Sequence, residues 1–180
     1  MTRFAISWDC QPLSGECVYR AYEYSFDFIP ADPKEVIRRA GEPGTTSLVI
    51  GTLQLEVGIA TGALLYAWGY HPHTSWRQDR LPRVSSQEGC VTVLFDEEPV
   101  IGVSQGLAEV GEWQTTYDEG TGWICVSANE HDVAESYVEF ADNTIAGLTD
   151  EKLVSVWLRP VWHRERFEEG PVSLFSELTS

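Results

Sequence analysis

Residues 47–76, SLVIGTLQLEVGIATGALLYAWGYHPHTSW, hold the longest run of strand-like pattern in the chain. Leu53, Leu55, Val57 and Ile59 alternate with Thr52, Gln54, Glu56 and Gly58, the period of two that sends apolar side chains to one face of a strand and polar ones to the other. Ala60-Thr61-Gly62 is a small-residue turn, and 63–70 reads as a return strand with Leu64, Tyr66, Trp68 and Tyr70 on one side. The pattern predicts a β-hairpin. Its aromatic row either fills a core or lines a concave surface. Burial alone, at roughly 1.5 to 3 kcal/mol per ring, is reason enough to keep such a row.

The same alternation predicts a strand over 3–8, paired as a hairpin with a second strand over 17–28 in which Tyr22, Tyr24, Phe26 and Phe28 share a face. Asp32 followed by Pro33 is a helix start, and Gly41 a stop, so a short helix is expected over 34–40. Residues 71–89 form a connection too long for an ordinary loop, the kind that is usually functional or mobile. Strands are expected over 90–95, returning over 100–107, then a hairpin of 113–117 with 123–126 about the glycines of 118–122. A last hairpin joins 137–148 to 152–158, and Pro160 ends the pairing. The fold class that follows is mainly β, at the margin of α+β: an antiparallel up-and-down meander of about ten strands, as a strongly curved sheet or barrel, with one short helix after the second strand. The rival is an open antiparallel sheet with helices on one face. Residues 1–160 make one domain, and 161–180 a tail with a short docking helix over 172–178.

Charge narrows the partners. A formal net charge of −16, with Lys34 and Lys152 the only lysines, opposes binding to phosphate backbones, so no nucleic acid is expected. It suits a basic protein partner, or it serves solubility alone. The opening MTRFAISWDC has no apolar core of a signal peptide, and no window approaches a membrane span, so a cytoplasmic location and no membrane contact are expected. Cys10, Cys17, Cys90 and Cys125 then read as reduced thiols, Cys90 and Cys125 packed in strands as small hydrophobes; export would allow a Cys10–Cys17 disulfide.

Candidate chemistry gathers after the central hairpin. Tyr66, Trp68, Tyr70, His71, His73, Trp76 and Arg77 are the residue types that anchor binding hot spots, and they form the expected partner or ligand surface. His71-Pro72-His73 with Asp79 is a weak metal pattern lacking a third histidine, outweighed by two exposed loop histidines, so no metal and no cofactor is expected. Glu130-His131-Asp132 reads as a solvated loop, and Trp157, Arg159, Trp162 and His163 as packing at the end of the final strand. No nucleophile elbow and no phosphate-binding glycine motif occurs, so catalytic residues stay unassigned. The favoured function is a non-enzymatic acidic protein-binding module, such as a bacterial immunity or inhibitor protein masking a basic effector. The alternative is a small-molecule binder or cyclase-type enzyme that holds a small apolar ligand in a barrel cavity. Tyr22, Tyr24, Phe26 and Leu64 would line it, and Glu23 or His71 would sit at its rim.

Overall fold

The structure is a computed structural model that describes residues 1–107, 112–129 and 133–165. Their strands form three sheets. A two-stranded piece pairs β1 (Arg3–Ser7) with β9 (Cys90–Leu94). The second sheet runs β10 (Gln105–Gly106), β4 (Thr45–Ile50), β5 (Leu53–Gly58), β6 (Leu64–Tyr70), β3 (Ser25–Pro30), β2 (Gly15–Arg20), β16 (Val161–His163). The third runs β7 (Arg77–Gln78), β11 (Gln114–Tyr117), β12 (Ile124–Ser127), β15 (Lys152–Leu158), β14 (Thr144–Thr149), β13 (Ser136–Ala141), β8 (Gln87–Glu88). Side chains from all three meet in one core that includes Phe4, Tyr19, Phe26, Leu55, Leu65, Val93, Val126, Phe140 and Leu158.

The mainly β class is therefore as expected, but the sheets close no barrel among the described residues and do not follow a ten-strand meander. The central hairpin forms in the expected place, with Gln54 opposite Trp68 and Glu56 opposite Tyr66. A bulge in β6 sets Leu64 and Leu65 against the single step from Glu56 to Val57, so both leucines are buried while Tyr66 and Trp68 face outward. The helix α1 (Pro33–Ala40) also forms, with the Asp32 carboxylate accepting from the Lys34 N–H and Gly41 ending it at φ 66°.

Other expectations fail for identifiable reasons. The long strand expected over 17–28 is two strands, β2 and β3, reversed by a tight turn in which Tyr24 takes φ 54°. The strand expected over 137–148 is likewise β13 and β14, reversed at Asp142-Asn143 with Asn143 at φ 55°. β1 pairs with β9, not with its sequence neighbour. Residues 100–107 supply only the short β10, parallel to β4. Val161–His163 leaves the expected tail to join β2 in parallel. The expected helix over 172–178 lies outside the described residues.

The long connection is a strap. It lays β7 on one edge of the third sheet and β8 on the other, and between them Leu81 and Val84 pack on Cys125, Ile145 and Trp157. Register puts those three on one row across β12, β14 and β15, facing away from the main core. Asp118 anchors the strap: its buried carboxylate accepts from the N–H of Leu81, and from Gly120 and Thr121 in its own turn. Those backbone donors hold its pKa below the ordinary carboxylate value. The cysteines need correction too. Cys10 is bonded to Cys90, their Cα atoms 5.5 Å apart, while Cys17 and Cys125 are free and buried.

Candidate functional site

Two aromatic regions diverge from β6. The first lies at its C-terminal end and is closed. Tyr19, on the inner face of β2, contacts Phe26, Trp76 and Trp162, with ring centroids 4.8–4.9 Å away. Tyr117 of the third sheet reaches Trp162 at 5.4 Å, so the nest ties the two large sheets together. The Tyr19 hydroxyl donates to the His71 carbonyl at 2.8 Å and accepts from the His73 N–H at 2.9 Å. Burial pushes its pKa up to about 12.

His71 is the pin of this region. Its N–H donates to the Tyr24 carbonyl at 2.7 Å. Its Nδ1 meets Thr52 Oγ1 and its Nε2 meets Thr115 Oγ1, both at 2.7 Å. Thr52 sits in the β4–β5 turn and Thr115 on β11, so one imidazole bridges two sheets. Desolvation drives its pKa down to about 4, which keeps the ring neutral. A neutral imidazole donates from one nitrogen and accepts at the other, and the two hydroxyls serve both. A metal ion, or a substrate exchanging a proton with His71, would have to displace one of these two hydroxyls.

The second region is open. On the outer face of the second sheet, register lines up Ser47, Glu56 and Tyr66 in one cross-strand row and Val49, Gln54 and Trp68 in the next. Glu56 Oε2 accepts from Ser47 Oγ at 2.9 Å and, diagonally, from Trp68 Nε1 at 2.7 Å. Tyr66 stacks on Phe28 at 5.6 Å, and its pKa rises to about 12, first through burial and then through the charges of Glu56 and Asp27. Tyr70, 57% exposed, follows Gly69 at φ 99° and sets its ring 6.5 Å from that of Tyr24.

The expected surface is therefore split. Tyr66 and Trp68 share the open face; Tyr70 lies by Tyr24 at the rim of the nest, and His71 and Trp76 belong to the nest itself. His73 stacks on Tyr24 at its rim, at 5.4 Å. Arg77 is exposed on β7 and pairs with Asp79 at 3.0 Å. The residues expected around a cavity also part company: Phe26 and Leu64 are core, Tyr22 is half-exposed in the 21–24 turn, and Tyr24 is exposed. Glu23 is exposed in the same turn. An open cleft of about 670 Å³ lies elsewhere, lined by Pro43, Ile59, Ala60, Glu98, Pro99, Val100 and Ile101. Among the described residues no three His, Cys, Asp or Glu side chains are grouped to hold a metal ion. Glu130, His131 and Asp132 fall outside the described residues. Arg159 stacks on Trp123 and Arg164 on Trp162, so the cation and aromatics of the final strand do pack, though with different mates.

Sequence reasoning missed Glu56, Thr52, Thr115 and Asp118. Glu56 was visible as a polar position on a strand; its bond to Trp68 depends on the strand register. No known protein family matches the chain, and no curated protein matches it in sequence. No helix among the described residues is long and apolar enough to cross a membrane.

Proposed function

We propose that the protein is a non-enzymatic acidic module that binds a basic protein partner, as an immunity or inhibitor protein masks a basic effector. One observation carries this reading: in a chain of net charge −16, Tyr66 and Trp68 of β6 stay half-exposed on an outer sheet face beside a carboxylate. Large rigid rings next to unneutralised negative charge are what a cationic surface recognises. The groups best suited to catalysis are otherwise engaged. His71 is neutral with both nitrogens bonded, and burial pushes the Cys17 and Cys125 thiols up to about 12, far from thiolate reactivity. The small-apolar-ligand alternative draws on Tyr22, Tyr24, Phe26 and Leu64, which this fold sends to separate places.

The expected cytoplasmic location stands against the Cys10–Cys90 bond, a type of link that persists in oxidising compartments. The redox state of these cysteines in the cell decides between the two. The binding reading is tested by affinity capture from the source organism's extract at low salt, followed by elution at high salt. A basic protein retained in stoichiometric amount and released by salt supports it; retention of no basic protein refutes it.

A further inference from the structure

We infer that Glu56, Trp68 and Tyr66 form a receptor for one guanidinium group, presented by an arginine-bearing segment of the basic partner. The inference rests on the binding reading above and names where that partner attaches.

Both hydrogen bonds to the Glu56 carboxylate fall on Oε2, one from Ser47 and one from the Trp68 indole, and both donors are neutral. Among the described residues Oε1 has no hydrogen bond, and no arginine or lysine pairs with Glu56, although Asp27, Glu35, Asp79 and Glu151 each have a cationic partner. A half-buried carboxylate oriented by two neutral donors keeps its full negative charge and presents its second oxygen in a fixed direction. The Tyr66 phenol, opposite Glu56 in the register, feels that charge together with that of Asp27.

The flanks select the ligand. Trp68 and Tyr66 stand beside the carboxylate on the neighbouring strand, Trp68 with its indole N–H toward it and Tyr66 stacked on Phe28, and a guanidinium is the cation that stacks on aromatic faces while donating to a carboxylate in its own plane. An ammonium, compact and strongly hydrated, would use the charge but not the faces. Gln54, opposite Trp68, extends the same face and gives the rest of the segment a polar neighbour. The charge of the chain as a whole draws a basic protein toward this face and repels acidic ones.

The test is an NMR titration with a hexa-arginine peptide in about 0.15 M salt, where attraction beyond about 8 Å is screened. Three variants accompany the wild type: Glu56→Gln, Glu98→Gln, which removes the same single charge from the cleft of Pro43, Ile59 and Ala60, and Trp68→Leu, which leaves the net charge unchanged. The Trp68 indole N–H and the amides around Gln54, Glu56, Tyr66 and Trp68 are expected to shift saturably. Glu56→Gln and Trp68→Leu should each weaken binding by about fivefold, while Glu98→Gln stays within about twofold. Hexalysine should bind more weakly than hexa-arginine. Equal weakening by Glu56→Gln and Glu98→Gln, or wild-type shifts centred away from this face, overturns the receptor while leaving an acidic binding module standing. The wild-type shift map needs no variant to fold. Retention of no basic protein in the capture experiment, by contrast, sinks the module itself.

Discussion

Replacing His71 by glutamine tests whether this ring is the pin that the two sheets share. In the folded protein its pKa lies near 4, lowered from the ordinary 6.5 by burial among Tyr19, Phe26 and Trp76, with no charged group contributing to the shift. The unfolded chain therefore binds a proton as pH falls through about 6.5, whereas the folded chain resists until about pH 4. Above about pH 6.5 the ring is neutral in both states and acidity has no leverage through it. Between these values stability falls as pH falls, and the full effect, at about 1.4 kcal/mol per pH unit, is about 3 kcal/mol. Its hydrogen bonds do not block protonation, since either threonine hydroxyl can turn to accept; the penalty is that of a charge in a dry place. The carboxylates of this acidic chain also titrate in this range, so a single pH profile would mix them. The difference between two proteins removes that background. Urea unfolding of wild type and His71→Gln, followed by tryptophan fluorescence from about pH 8 to about pH 4, should show wild type more stable by about 1 to 3 kcal/mol at the alkaline end, where two buried hydroxyl bonds are lost in the variant. That lead should shrink by about 3 kcal/mol at the acidic end and can reverse. Parallel profiles, with a lead constant from about pH 8 to about pH 4, would refute the reasoning, because they require His71 to titrate alike in both states.

Three further outcomes follow from the packing. Leu81→Ser combined with Val84→Ser should loosen the strap, lowering stability by about 1 to 2 kcal/mol per side chain and speeding the reaction of Cys125 with a thiol reagent, which wild type resists because the strap covers that row. Asp118→Ala leaves the Leu81, Gly120 and Thr121 N–H groups without their shared acceptor and should lower the melting temperature; Asp118→Asn should recover part of the loss. Because those donors depress the Asp118 pKa, its contribution is present above its ordinary carboxylate value and is lost as pH falls below that, so the Asp118→Ala penalty should fade in acid. Protein unfolded without reductant should show two reactive thiols, Cys17 and Cys125, against four after reduction, and Cys10→Ser with Cys90→Ser should lose about 2 to 4 kcal/mol through the 80-residue separation that the bond closes.

Local signals were legible where the physics is local. The 53–58 alternation, the Gly62 turn and the Asp32-Pro33 cap each act within a few residues, and each is found as read. Alternation is blind to reversal, however. Tyr22, Tyr24, Phe26 and Phe28 keep an even spacing straight through a turn that contains no glycine or proline, because Tyr24 itself takes the left-handed conformation. Asn143, a residue that tolerates positive φ, does the same within 137–148. Pairing between distant segments, β1 with β9 or β16 with β2, leaves no trace in a period of two, and strands of two residues have no period at all. The site suffered the same way. Trp68 and Tyr66 were readable as a row, but Glu56 joined them only through register, and the partners of His71 come from a turn and a strand in different sheets.

The short strands bear on how a partner can bind. Each of the four edges of the two large sheets is closed by a strand of two or three residues, β10, β16, β7 or β8, running parallel to its neighbour. An incoming strand would find only two or three residues to pair with before the template ends, so growth by strand addition is disfavoured at these four edges. The proposed binding would then use a face. The inner faces meet in the shared core, and the strap packs Leu81 and Val84 against the outer face of the third sheet. On the outer face of the second sheet, α1 closes over Gly58, where an added Cβ would lie 2.9 Å from the Ala40 Cα. Two residues along the same strand, the cover gives way to Glu56 with Tyr66 and Trp68 beside it, half-exposed and with no cation paired to it among the described residues. On the proposed binding reading, the short edge strands and the covered third-sheet face point to the same place as the charge, the Glu56 carboxylate of β5 beside Tyr66 and Trp68 of β6.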